Sequence, residues 1–129
     1  MLLNDLSQYL KQADIEVRGL NNAYIERYEE EIIAANRVNL RIRVRFQNGY
    51  MLEISEAIIN DNGLQTHLGY RYHFQDEQND LVFRYDNTPH FPDFDTFPHH
   101  KHLPEEVINI DKPSIFQIIK EVKKYCFKP

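Results

Sequence analysis

The chain has 129 residues and a formal net charge of −5 at pH 7; 42% of it is hydrophobic and 27% charged. This is the composition expected of one globular domain, 1–129, and it excludes a disordered chain and a helical membrane span, since no run approaches the roughly 18 apolar residues a span needs. One cysteine excludes an internal disulfide framework, and six histidines would carry the charge to −5 + 6 = +1 if all were protonated.

The first residues, MLLNDLSQYLKQ, have no basic n-region, apolar h-region or small-residue cleavage site, so the expectation is a cytoplasmic protein with no membrane partner. Leu3, Leu6, Tyr9 and Leu10 predict a short amphipathic helix over 3–12, with Asn4 or Asp5 as its cap. Residues 23–35 carry an i, i+4 stripe (Tyr24, Tyr28, Ile32) that also fits one face of a strand; a strand is preferred, because the next segment needs a neighbour. In 38–46, Val38, Leu40, Ile42, Val44 and Phe46 alternate with Asn39, Arg41, Arg43 and Arg45, a half-buried strand with one basic face. A three-residue loop ending at Gly49 pairs Phe46 with Tyr50, Val44 with Leu52 and Arg43 with Glu53, which keeps both faces clean; a two-residue turn would mix them.

Asn60-Asp61-Asn62-Gly63 marks a turn. Beyond it Leu64, Leu68, Tyr70, Tyr72 and Phe74 alternate with His67, Arg71, His73 and Gln75, and Leu81, Phe83 and Tyr85 with Arg84 and Asp86. From Asn87 the alternation stops, and Pro89, Pro92, Pro98 and Pro104 block regular structure. Ile115, Ile118, Ile119 and Val122 then mark a second amphipathic helix, opened by a Ser114/Gln117 capping box. Cys126, near its end, reads as a small semi-buried hydrophobe. The expected fold is α+β: an antiparallel five-stranded meander, with the N-terminal and C-terminal helices packed on one face and a long Pro/His-rich loop before the last helix.

The other face of the sheet should stay open or be partly covered by the loop. Alternation places Arg41, Arg43, Arg45, Glu53, His67, Arg71, His73, Arg84 and Asp86 there, and 36–52 holds four arginines and no acid. Arginine's planar fork suits phosphate, and histidine moves protons near neutral pH. Such a cluster, without a serine or cysteine nucleophile, fits metal-independent cleavage of RNA by its own 2′-hydroxyl. Arg71, His73, Arg84 and Asp86 are the catalytic candidates on the sheet, and Arg41, Arg43 and Arg45 the nucleic-acid contacts. The bland alternative is exposed pairing, Arg43 with Glu53 and Arg84 with Asp86, contributing about 0–1 kcal/mol each. Tyr70, Tyr72 and Tyr85 alternate onto the opposite face and are not proton-transfer candidates.

The loop adds His90 and, in its string Phe97-Pro98-His99-His100-Lys101-His102, His99, His100 and His102 as catalytic candidates, with Lys101 as a nucleic-acid contact. No cofactor is expected; the weaker alternative is a divalent metal on His99 and His102, with His90, Asp93 or Asp95 as third ligand. Histidines that stack on bases or merely fix the loop compete with both. Asp86-Asn87 also reads simply as a turn.

The strings Tyr70-Arg71-Tyr72-His73-Phe74-Gln75-Asp76, Leu81-Val82-Phe83-Arg84-Tyr85-Asp86-Asn87, Pro89-His90 and Thr96-Phe97-Pro98-His99-His100-Lys101-His102 resemble the TumE family, toxin components of prokaryotic type II toxin–antitoxin systems. The resemblance spans 24–125 and is densest over 70–102. It implies a small cytoplasmic toxin, held inactive by a helix-turn-helix antitoxin, with RNA as the target expected by analogy with small toxins of this type. It carries over no catalytic residue. The alternatives are a non-enzymatic module binding protein or nucleic acid, and a metal-dependent nuclease built on the histidine loop. The sequence leaves the oligomeric state open, a homodimer included.

Overall fold

The computed structural model describes residues 2–89 and 97–126. Helix α1 (Asn4–Arg18) leads into five long strands, β1 (Ala23–Ala34), β2 (Arg37–Phe46), β3 (Met51–Asp61), β4 (Leu64–Gln75) and β5 (Leu81–Asp86). Two short strands, β6 (His100–His102) and β7 (Val107–Asn109), precede helix α2 (Ile115–Cys126). Among the described residues the strands form one antiparallel sheet in chain order, seven strands rather than the five expected from alternation. Three residues are too few to establish a period of two, so β6 and β7 are invisible as patterns. They also shorten the expected Pro/His-rich loop: its portion from His100 onward is partly sheet, and His90–Thr96 lie outside the described residues.

Both helices cover one face. Leu6, Leu10, Ala13 and Val17 from α1 and Ile115, Ile118, Ile119 and Val122 from α2 share a core with Leu40, Ile42, Leu52, Ile54, Tyr72, Phe74 and Phe83 of the sheet. The α1 stripe continues to Val17, beyond the expected end at residue 12. Its N-cap is Leu3, with no side-chain capping bond, so Asn4 and Asp5 are not caps; the turn is held instead by Leu3 N–H donating to Ala35 C=O at 2.7 Å. The α2 capping box forms as expected: Ser114 N–H donates to Gln117 Oε1 at 2.8 Å, and Gln117 N–H to Ser114 Oγ at 3.2 Å.

Register follows the loops. Arg43 faces Glu53 and Val44 faces Leu52, with Phe46 N–H donating to Tyr50 C=O at 2.9 Å and Gly49 at φ +92° closing the three-residue loop. Residues 23–34 form the strand that the argument from neighbours required. A β-bulge corrects one face assignment. Ala57 faces Gly69 but Ile58 faces His67, so Leu68 is an extra residue on β4. One extra residue reverses the parity of everything before it. His67 therefore turns to the helix side, while Leu64 and Leu68 are 66% and 51% exposed rather than in the core.

Candidate functional site

The face without helices is organised in cross-strand rows. One row runs Glu29, Arg41, Ser55, Arg71, Asp86, His100 across β1 to β6. The next runs Arg27, Arg43, Glu53, His73, Arg84, His102. Neighbours in a row are about 5 Å apart, close enough for direct contact. Arg71, His73, Arg84, Asp86, His100 and His102 thus converge over β4, β5 and β6.

Asp86 is the hub. Its carboxylate is 8% exposed and lies 2.8 Å from His100 Nε2, 3.5 Å from His102 Nε2 and 3.5 Å from Arg84 Nε. Asp86 Oδ1 also accepts from Thr88 N–H at 3.0 Å, and Asn87 Oδ1 from Tyr70 N–H at 3.0 Å. The Asp-Asn pair is therefore a turn and a site element together. His100, 1% exposed, donates from Nδ1 to Pro98 C=O at 3.0 Å, because a carbonyl only accepts. That bond fixes the ring with Nε2 toward Asp86.

His73 has a defined tautomer. Gln75 Nε2 donates to Asn79 Oδ1 at 2.8 Å, which turns Gln75 Oε1 toward His73 Nε2 at 2.9 Å. An amide oxygen only accepts, so His73 Nε2 carries the hydrogen. Nδ1 keeps its lone pair and is enclosed with no hydrogen-bond partner. Burial pushes His73 below its ordinary value, and the Arg71 and Arg84 charges add to that. A neutral imidazole with an unused lone pair beside arginines has the electronic form of a general base.

The arginines divide into two sets. Arg43 Nη2 lies 2.7 Å from Glu53, Arg45 Nε 3.3 Å from Glu26 and Arg27 Nε 2.8 Å from Glu29, so these charges are already matched. Among the described residues Arg41 and Arg71 form no ion pair, and both are exposed.

Two sequence candidates lie elsewhere. Because β6 alternates, Lys101 points to the helix side, where Nζ sits 2.9 Å from Glu121 of α2 and 4.7 Å from the Tyr85 ring centroid. It ties β6 to α2, and Tyr85 OH donates to the same carboxylate at 2.6 Å. His99 also lies on the helix side, stacked on Tyr70 with centroids 5.7 Å apart and Nδ1 2.9 Å from Tyr70 OH. Burial lowers its pKa, and Lys112 acts in the same direction. The expected His99/His102 metal pair is therefore not assembled. Among the described residues, Asp86, His100 and His102 are the set that could hold a metal, their ligand atoms lying within 4.8 Å of one another. His90 lies outside the described residues.

Sequence reasoning missed Ser55, which stands between Arg41 and Arg71. Its signal was the continuation of the Glu53 alternation past Ile54. It also missed Glu56 beneath the sheet, 2% exposed, which accepts from Tyr9 OH at 2.8 Å and from Tyr72 OH and lies 2.8 Å from His67 Nε2.

A family model described as Toxin TumE matches residues 15–126, most of the chain. No curated protein and no solved structure shows significant similarity to it. No helix among the described residues is long and apolar enough to cross a membrane.

Proposed function

The chain belongs to the TumE toxin family, which implies a toxin role and an antitoxin partner, and we propose that it acts on RNA as a metal-independent endoribonuclease through the open sheet face. The observation that carries this reading is the pair of rows that sets His73, Arg84 and His102 beside Arg71, Asp86 and His100. In the proposed reaction, the His73 imidazole takes the proton of a ribose 2′-hydroxyl. The 2′-oxygen attacks phosphorus, and the bond from phosphorus to the 5′-oxygen breaks. His102, as an imidazolium held by Asp86, gives its proton to the departing 5′-oxygen. Arg71 and Arg84 stabilise the charge that develops on the phosphoryl oxygens. His100 is a positioning residue: it is buried and holds Asp86. The cytoplasm is the proposed compartment, and a helix-turn-helix protein the proposed antitoxin.

Product ends test the chemistry. This mechanism leaves a 2′,3′-cyclic phosphate and a 5′-hydroxyl. A 5′-phosphate with a 3′-hydroxyl would contradict it and would mean attack by water. That outcome fits the second reading, a divalent metal on Asp86, His100 and His102, which their convergence favours. Two imidazoles and one carboxylate leave room for water and substrate on a bound ion, and the bond from His100 Nδ1 to Pro98 resembles the outer contacts that orient metal-bound histidines.

A further inference from the structure

Two depressions meet on the open face. The first, about 190 Å³, is lined by Arg27, Glu53 and His73 and shares Arg41, Ser55 and Arg71 with the second. The second, about 290 Å³, continues along the strands past Asn39, Ala57, Gly69 and Asn87. The shared row of Arg41, Ser55 and Arg71 is the saddle between them. It carries two arginines, Arg41 and Arg71, that form no ion pair among the described residues. Resting on the RNA reading above, we infer that this double groove binds one internucleotide phosphate of single-stranded RNA on Arg41, Ser55 and Arg71, with a nucleoside in each depression.

The chemistry matches on two points. Two guanidinium forks flank one hydroxyl on neighbouring strands, a donor set suited to the oxygens of a phosphodiester. Along β4 the positions His73, Arg71 and Gly69 are two residues apart, about 7 Å per step, so the groove has the length of a dinucleotide rather than of a lone phosphate. The second depression owes its floor to Gly69. A Cβ there would meet nothing nearer than Asn87 Oδ1 at 3.9 Å, so the fold does not require glycine for space, and a side chain would project into the groove. The occupant is single-stranded, since both nucleosides must turn their bases toward the sheet.

The test is titration of the full chain, followed by amide NMR, with a dinucleoside monophosphate bearing a 2′-methoxy group on its first sugar, which cannot be cleaved. Saturable shifts are expected at Ser55, Gly69 and His73. Arg41→Ala and Arg71→Ala should each weaken binding about tenfold or more, the scale of a lost charge-assisted contact. Gly69→Val should weaken it with the spectrum otherwise folded, and Ala57→Leu, directly opposite Gly69, gives the same readout if the valine protein folds poorly. Lys123→Ala, on α2, should leave affinity unchanged. Inorganic phosphate binding as tightly as the dinucleotide would overturn the inference, as would unchanged affinity in both arginine variants or shifts confined to other surfaces. Wild-type cleavage of RNA with unchanged affinity in those variants overturns the groove and leaves the nuclease reading standing. Mapped binding without any cleavage upholds the groove and removes the nuclease.

Discussion

Glu56 lies under the sheet, 2% exposed, with Tyr9, Tyr72 and His67 directed at its carboxylate. A buried acid is stable only when its lone pairs are engaged, and the same network costs heavily when one member is cut. Glu56→Ala should destabilise the fold by about 3 kcal/mol, read as a fall in the urea midpoint, while Glu56→Gln should cost less. A midpoint unchanged in the alanine protein would contradict the network. His73 and His99 supply a pH signature. Both are held below the ordinary histidine value by burial, while in the unfolded chain each titrates near about 6.5. Between the folded value and about 6.5 the unfolded chain binds more protons, so stability is complete above that window and falls as pH drops through it. His73→Gln should flatten part of that slope in urea melts at successive pH values; an identical slope would contradict the assignment. Cys126 is the reverse case: burial pushes its thiol up to about 11, only partly offset by a hydrogen bond from Asn48. It should react with iodoacetamide at pH 8 far more slowly in the folded chain than in urea.

At the scale of elements, the hairpin between β2 and β3 rests on Gly49. Its φ is +92°, and a Cβ would meet Glu77 Cβ at 2.7 Å. Gly49→Ala should therefore cost about 2 kcal/mol in urea unfolding, against a negligible effect for a residue in ordinary conformation. This loop was legible because a clean division of faces admits one register: Arg43 opposite Glu53 followed from alternation alone. The juxtaposition of Arg71 and His73 with Asp86 and Arg84 was legible for the same reason, since neighbouring antiparallel registers preserve faces. What alternation does not encode is a bulge or a strand of three residues. Leu68 therefore displaced His67, Leu64 and itself from their expected faces. The short β6 divided the histidine string, sending His100 and His102 to Asp86 and Lys101 to Glu121. The resemblance carried in 70–102 reached the family without any of that geometry.

Over the whole molecule, an acidic chain presents a face on which β2 carries most of the arginines, with Arg71 and Arg84 on β4 and β5. The net charge of −5 resists nonspecific contact with nucleic acid, while the local field at Arg41 and Arg71 favours phosphate. Binding there should weaken with salt, but with a shallow slope, because few phosphates are contacted. Neither helix packs on this face; both close the core on the other side. The most direct measurement is incubation of the purified, antitoxin-free protein with end-labelled single-stranded RNA in excess chelator, beside His73→Ala protein of matched folding. Cleavage by the wild type is expected to persist in chelator and to drop by about 10² or more in the variant. Intact RNA in every lane, or equal cleavage by both proteins, would contradict it.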